Sequence, residues 1–271
     1  MSFAELLQVQ PGTTPDLTAI DPASTPGFEG GKLEAGVRLK DLRDELAEFQ
    51  MRLWAEAKQA LLIVLQARDA GGKDGLIRKV GGAFDPQGLR VTAFDVPNPV
   101  ELRHDYLWRV HAATPGKGHI GIFNRSHYED VLVVRVDELV PEAVWRERYD
   151  QINAFEDHLA ANGTRIVKLY LHISRDEQKR RFEKRLEKPD KHWKWRSGDL
   201  DARAKWDDYR TAYTDALARC STEVAPWFVI PADHKWYRDL AAAEILVETA
   251  RQMNPHWPRP DEDVSSIVVP D

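Results

Sequence analysis

The amino-acid sequence predicts an α/β protein: a three-layer αβα sandwich built on a five-stranded parallel sheet. Three observations lead there. Five short apolar runs alternate with longer stretches of helical period, the order produced when each strand crosses over to a parallel neighbour. The first run, "ALLIVLQ", is apolar at nearly every position, as a strand covered on both faces requires. That run leads into "ARDAGGKDG", a glycine-rich turn from strand to helix at the carboxyl end, where such sheets bind ligands.

Along the chain, residues 1 to about 35 are rich in Pro, Gly, Thr and Asp without a lasting period, and read as an extended arm packed on the body or on a neighbouring subunit. Leu42, Leu46, Phe49, Leu53 and Ala57 recur every three or four positions and predict a helix over 39–58. After the first strand come a helix over 74–83, a strand at "LRVTAFDVP", a helix over 99–113 and a third strand at "HIGIFN". A helix over 141–161 precedes the fourth strand, "TRIVKLYLHI"; helices over 174–187 and 203–219 precede the fifth, "PWFVIPA". A helix over 235–252 closes the domain, and the tail after Pro255 is Pro-rich and irregular.

Composition narrows the function classes. A hydrophobic fraction of 42% suits a packed globular chain, and no apolar run reaches the roughly 18 residues of a membrane span. The first residues lack a basic segment followed by an apolar core, so no leader is expected. The single cysteine, Cys220, allows no internal disulfide and suits a reducing cytoplasm. A net charge of −6 argues against general nucleic-acid binding.

The chemistry concentrates in three places. "ARDAGGKDG" departs from the phosphate-loop pattern G-x-x-x-x-G-K-[ST] by carrying Ala67 for the first glycine and Asp74 for the hydroxyl. Ala70, Gly71, Gly72 and Gly75 let the backbone close on an anion and Lys73 adds a point charge; the plainer reading is a glycine-rich turn with an exposed lysine. Asp69 inside such a loop needs a cation between itself and a phosphate, and reads as a ligand of Mg²⁺ or of its water, or as a base. Asp74 either replaces the hydroxyl or is a favourable acid in a helix first turn. In "FNRSHYEDV", Arg125 matches a phosphoryl group bidentately and Glu129 and Asp130 suit a metal or a nucleotide, unless the arginine merely pairs with one of these acids. Lys179 to Arg196 holds nine Lys/Arg against three acids. This is either a solvated helix face or a lid over polyanionic phosphates, with Arg181 and Arg185 on one side and Lys184 near them. The tryptophans carry no functional assignment.

Together, "ARDAGGKDG", "LWRVHAATPGKGHIGIFNRSHYEDVLV", "IVKLYLHISRDEQKRRFEKRL" and "APWFVIPADHKWYRDLAAAEIL" resemble the polyphosphate kinase 2 family over about residues 40–255. "FNRSHYEDV" looks like its class III form, whose members are similar in phosphorylating nucleoside mono- and diphosphates. The resemblance implies a P-loop NTPase-like fold of thymidylate-kinase type. It divides the chain into an N-terminal extension (1–38), a P-loop kinase domain (39–255) with its lid at about 174–200, and a C-terminal tail (256–271). It implies catalytic roles for Asp69, Lys73, Arg125 and Arg185, and phosphate contacts from residues 70–75, Arg181 and Lys184. Nucleotide contacts would come from Asn124, Arg125, Glu129 and Asp130, and Mg²⁺ or Mn²⁺ would be held by Asp69 and Asp130. The implied substrates are inorganic polyphosphate and purine nucleotides, with neither nucleic acid nor membrane as partner, in a homodimer or homotetramer. The family's loop reads roughly G-x-D-A-A-G-K-x-G, so Ala67 and Gly71 each depart from it. "KWRSGD" departs from the commoner lid string "KLSPMD". An ATP-dependent nucleotide kinase and a non-catalytic polyanion binder are the two rival functions.

Overall fold

A computed structural model describes residues 1–262, 264, 267, 269 and 270; part of the expected tail, 256–271, therefore lies outside the described residues. In chain order the elements are α1 (Phe3–Leu7), α2 (Lys32–Glu56), β1 (Ala60–Ala67), α3 (Lys73–Lys79), β2 (Leu89–Ala93), α4 (Trp108–His111), β3 (Ile120–Asn124), α5 (Val133–Val136) and α6 (Glu142–Ala161). They continue with β4 (Thr164–His172), α7 (Arg175–Leu186), α8 (Gly198–Ala204), α9 (Trp206–Cys220), β5 (Trp227–Pro231) and α10 (Lys235–Met253).

The five strands form one parallel sheet in the order β2-β3-β1-β4-β5. Every residue of β1 is buried, and the pleat divides them between two cores. Leu61, Ile63, Leu65 and Ala67 join the core made with α1, α2 and α10. Leu62 and Val64 join the core made with α6 and α9. The sandwich of three layers follows. After β1 the chain leaves for the first face through α3, whose Leu76 lies in the α2/α10 core. After β3 it leaves for the other face through α6. The crevice between the carboxyl ends of β1 and β3 is the topological switch point, and both short motifs stand at its rim. No helix among the described residues is long and apolar enough to cross a membrane.

Four sequence expectations are corrected. The helix expected from residue 39 begins at Lys32, so a boundary at 38/39 cuts a helix; Gly36 and the exposed apolar residues Leu33 and Val37, which lie off the buried face, hid its start. The arm packs on the body, as expected, but is not wholly extended. It carries α1, whose Phe3 and Leu7 enter the core, before lying along the sheet edge, where Gln8 bridges Phe228 and the Val9 N–H donates to the Trp227 carbonyl at 2.9 Å. The single helix over 99–113 is broken into a 3₁₀ turn at Glu101–Arg103 and α4. Asn98 and Asp105 side chains accept from the backbone N–H groups of Val100, Glu101 and Leu107 and so compete with the helix. Finally, the helix over 203–219 is α8 and α9, parted at Lys205.

Phe3, Leu7, Val9, Leu17 and Ala35 are all buried. At about 1.5–3 kcal/mol for each large apolar side chain, losing them approaches the whole stability of an ordinary domain, about 5–15 kcal/mol. A chain beginning at residue 39 is therefore expected to unfold at far lower urea concentration than the full chain, or not to fold; circular dichroism during urea titration measures this.

Candidate active site

The loop after β1 takes its shape from donors on two other helices. Gln178 Nε2 of α7 donates to the Asp69 carbonyl at 2.9 Å, and Arg181 Nη1 donates to those of Ala70 and Gly71 at 3.0 and 2.9 Å. Arg238 Nη1, from α10, donates to the Gly72 carbonyl at 3.1 Å. With four consecutive carbonyls held from behind, the N–H groups of Lys73 and Asp74 at the start of α3, which have no intrahelical acceptors, are left for an anion, while that of Gly75 donates to the Gly72 carbonyl at 3.0 Å. Ala70 at φ 58° and Gly72 at φ 105° supply the left-handed steps, and a Cβ on Gly72 would fall 2.1 Å from Arg238 Nη1.

Lys73 is buried and its ammonium donates to the Ala67 carbonyl at 3.0 Å. Burial, with Arg125 nearby, pulls its pKa down against the opposing pull of Asp69, Glu129 and Asp74. A bound phosphate would add to that opposing pull. Arg125 stands just beyond β3 at φ 62° and donates to Asp69 Oδ1 at 2.9 Å. Burial works against its charge, but Glu129 and Asp69 outweigh burial and raise its pKa. Burial pushes the Glu129 carboxyl up despite Arg125 and Lys73. Asp69, Lys73, Arg125 and Glu129 therefore form one coupled group.

The lid closes over this group through ion pairs. Arg185 donates to Asp199 Oδ2 at 3.0 Å, Lys194 lies 2.7 Å from Asp74 Oδ2, and Arg196 lies 3.7 Å from Asp95 Oδ1. Asn124 Nδ2 also donates to Asp74, at 3.2 Å. Asp74 thus ties the phosphate loop to β3 and to the lid, a role beyond both sequence readings of it; the hydrogen bond from Lys194 leads in holding its carboxyl below the usual range. Beneath the lid, Asp69, Arg125, Glu129, Asp199, Tyr209 and Tyr213 help to line a cavity of about 290 Å³, near the low end of the roughly 300–1,000 Å³ of small-ligand sites. A larger cavity, about 750 Å³, opens elsewhere beside Trp145 and Asp208 and touches none of the motif residues.

Three predicted site residues are placed otherwise. Arg181 spends its guanidinium on Glu177 and the carbonyls of Ala70, Gly71 and Ala232, so it shapes the phosphate loop from behind. Lys184 is exposed on the outside of α7. Asp130 turns to Arg148, which donates to its Oδ1 at 2.8 Å, and burial lifts its carboxyl to about 6; it does not line the cavity with Asp69. Conversely, Gln178, Asp199 and Arg238 went unnoticed in the sequence. Arg238 and Gln178 lie inside strings that resemble the family, yet only their spatial neighbours reveal what they hold.

Among the described residues, no three His, Cys, Asp or Glu side chains form a ready metal cluster. Mg²⁺ asks less than that, taking one or two carboxylates with phosphate oxygens and water. Asp69, which lines the cavity and bonds Arg125 through Oδ1, fits such a site; Asp130, bound to Arg148, does not.

With this geometry in view, known proteins can be compared. The polyphosphate kinase 2 family profile matches residues 32–258. The chain belongs to the polyphosphate kinase 2 family. It is 50% identical to an AMP/ADP-polyphosphate phosphotransferase of Meiothermus ruber over 97% of this chain and 98% of that one. It is 44% identical to an ADP-polyphosphate phosphotransferase of Rhodopseudomonas palustris, over 79% and 78%. Among solved structures, polyphosphate kinase 2 from Arthrobacter aurescens TC1 superposes with a TM-score of 0.94 at 45% identity, over 98% of this chain and 95% of that one. The fold is the P-loop kinase-like fold of the family.

The two departures from the family's loop meet in space. A Cβ on Gly71 would lie 2.5 Å from the Cβ of Ala67 and 2.7 Å from the Arg68 carbonyl oxygen, so a methyl group there meets both the Ala67 side chain and the backbone. The family's pattern carries its methyl at the second position, and this chain carries it at the first. Gly71→Ala alone is expected to destabilise by about 1–3 kcal/mol through overpacking, and Ala67→Gly/Gly71→Ala to recover only part of that loss, since the contact with the Arg68 carbonyl remains. Urea unfolding of the two single variants and the double variant reads the coupling directly.

Proposed function

We propose that this chain transfers the terminal phosphoryl group of inorganic polyphosphate to AMP and ADP, reversibly and with a divalent cation, in the class III manner. The observation that carries this is the meeting of Lys73, Arg125 and Asp69 at the β1/β3 switch point, under a lid that adds Arg185, Lys194 and Arg196. Phosphoryl transfer asks a protein mainly for positioning and charge neutralisation, and this constellation supplies both.

The polyphosphate end lies in the loop of residues 70–75, with Lys73 on its oxygens. The acceptor nucleotide occupies the cavity beneath the lid, held by Asn124, Arg125 and Glu129. Arg125 exchanges its bond to Asp69 for one to the transferring group, and Arg185 turns from Asp199 to the same group as the lid tightens. Asp69 would then be free to hold Mg²⁺ or Mn²⁺, which when bound would supply charge neutralisation. The acceptor is a nucleotide phosphate already ionised near neutral pH, so no strong base is required. Domain division follows the same reading: the kinase unit reaches back to Lys32, and residues 1–31 brace it. The expected assembly is a homodimer or homotetramer, which light scattering reports.

The test is a polyphosphate-driven assay with AMP, ADP, GMP and GDP, run in both directions and without ATP. Expected are phosphorylated products from both mono- and diphosphates, loss of activity in EDTA and its return with Mg²⁺ or Mn²⁺. Lys73→Ala is expected to lower turnover by about 10²-fold or more. Product only on addition of ATP would replace this function with that of an ATP-dependent kinase. Polyphosphate binding that survives Lys73→Ala, without turnover in any variant, would make the chain a polyanion binder.

A further inference from the structure

The deepest charges in the molecule lie outside the cleft. Lys168, in the middle of β4, is fully buried, as are Glu156 of α6 and His127 and Tyr128 in the turn after β3. Lys168 Nζ donates to Glu156 Oε2, to the Tyr128 hydroxyl at 2.8 Å and to the Cys220 carbonyl at 2.6 Å, which occupies all three of its protons. Glu156 Oε1 accepts from the Tyr128 hydroxyl at 2.9 Å and lies 3.1 Å from His127 Nε2.

Stability alone does not account for such a cluster, because well-packed apolar residues of similar volume hold a fold as well or better. Its connections are more informative. His127 and Tyr128 stand between Arg125 and Glu129 in the chain. Arg125 is held at φ 62°, a backbone conformation that a residue with a side chain keeps only when its surroundings enforce it. From above, the Arg125 N–H donates to the Leu65 carbonyl at 3.0 Å, and Ser126 Oγ accepts from Gln66 Nε2 and from the Tyr128 N–H. From the side, Arg148 of α6 donates to the carbonyl and carboxylate of Asp130. From below, the turn is held by Glu156 and Lys168.

We propose that Lys168 and Glu156 are positioning residues for phosphoryl transfer: by gripping Tyr128 and His127 from beneath, they fix the backbone that aims Arg125 and Glu129 into the cleft. This rests on the function proposed above. Neither residue touches the cavity, so each acts through the turn. Loosening the grip should leave the phosphate loop and Lys73 in place, and with them the binding of polyphosphate. What suffers is the alignment of Arg125 when the phosphoryl group moves.

The test compares wild type with Lys168→Met/Glu156→Gln and with Tyr128→Phe. In the double variant, methionine fills the space of the lysine stem and the glutamine amide oxygen still accepts from Tyr128. Wild-type turnover, measured first, tests the function; the ratio of variant to wild type tests the positioning. The double variant is expected to keep a cooperative thermal transition while kcat falls by about ten- to a hundred-fold, with KM for polyphosphate nearly unchanged. Tyr128→Phe is expected to show the same split with a smaller loss. Wild-type kcat in a folded variant, or a loss in which KM rises in step with a falling Tm, overturns the proposal. If the double variant does not fold, Tyr128→Phe decides alone.

Discussion

The rest of the site depends on four backbone carbonyls facing away from the cleft. Gln178, Arg181 and Arg238 hold the carbonyls of residues 69–72; without those donors the oxygens of residues 69–71 would be free to face an incoming phosphate and repel it, whereas that of Gly72 also accepts from the Gly75 and Leu76 N–H groups. The donors come from α7 and α10, which follow β4 and β5, so the phosphate loop takes its final form only when the far half of the sheet is in place. An unpaired buried guanidinium is costly, and here Arg238 is also met by its neighbour Asp239. The cradle is a tertiary object even though its motif is a local string.

A second constraint is electrostatic. Arg125, Arg185, Lys194 and Arg196 each have a carboxylate partner, in Asp69, Asp199, Asp74 and Asp95. These acids occupy directions in which a polyanion would otherwise be met by bare positive charge. Binding then becomes an exchange of partners, and its strength is the difference between phosphate and carboxylate contacts. If the cleft binds as proposed above, anions that carry too little charge to displace several carboxylates together would be held less well than a chain of phosphates.

Much of this was legible in the sequence, and the reasons differ by element. β1 announces itself because burial on both faces forces a nearly unbroken apolar run, and β4 does so through Ile166, Val167, Leu169, Tyr170 and Leu171 despite Lys168 in its middle. Asp69, Lys73 and Arg125, which the fold brings together, could be singled out because each sits in a short string whose residue types fit phosphate chemistry. The start of α2 was not found, since before Leu39 only the small Ala35 marks the buried face, beside Gly36 and the exposed Leu33 and Val37. Arg181 was read as a phosphate ligand from its charge and its neighbours in sequence. Only three-dimensional proximity shows that the loop carbonyls claim it first. Asp130 was misplaced for the same reason: adjacent in sequence to Glu129, it points to Arg148. Asp199 and Arg238 belong to no phosphate motif, so nothing local marked them.

The crowding between positions 67 and 71 also bears on how such loops are recognised. Two loops that differ at both positions look two substitutions apart, but the intermediates are unequal. Alanine at both brings two methyl carbons to 2.5 Å, whereas glycine at both only loosens the turn. A pattern scan that demands glycine at the first position overlooks this chain, a member of the family that carries Ala67 there.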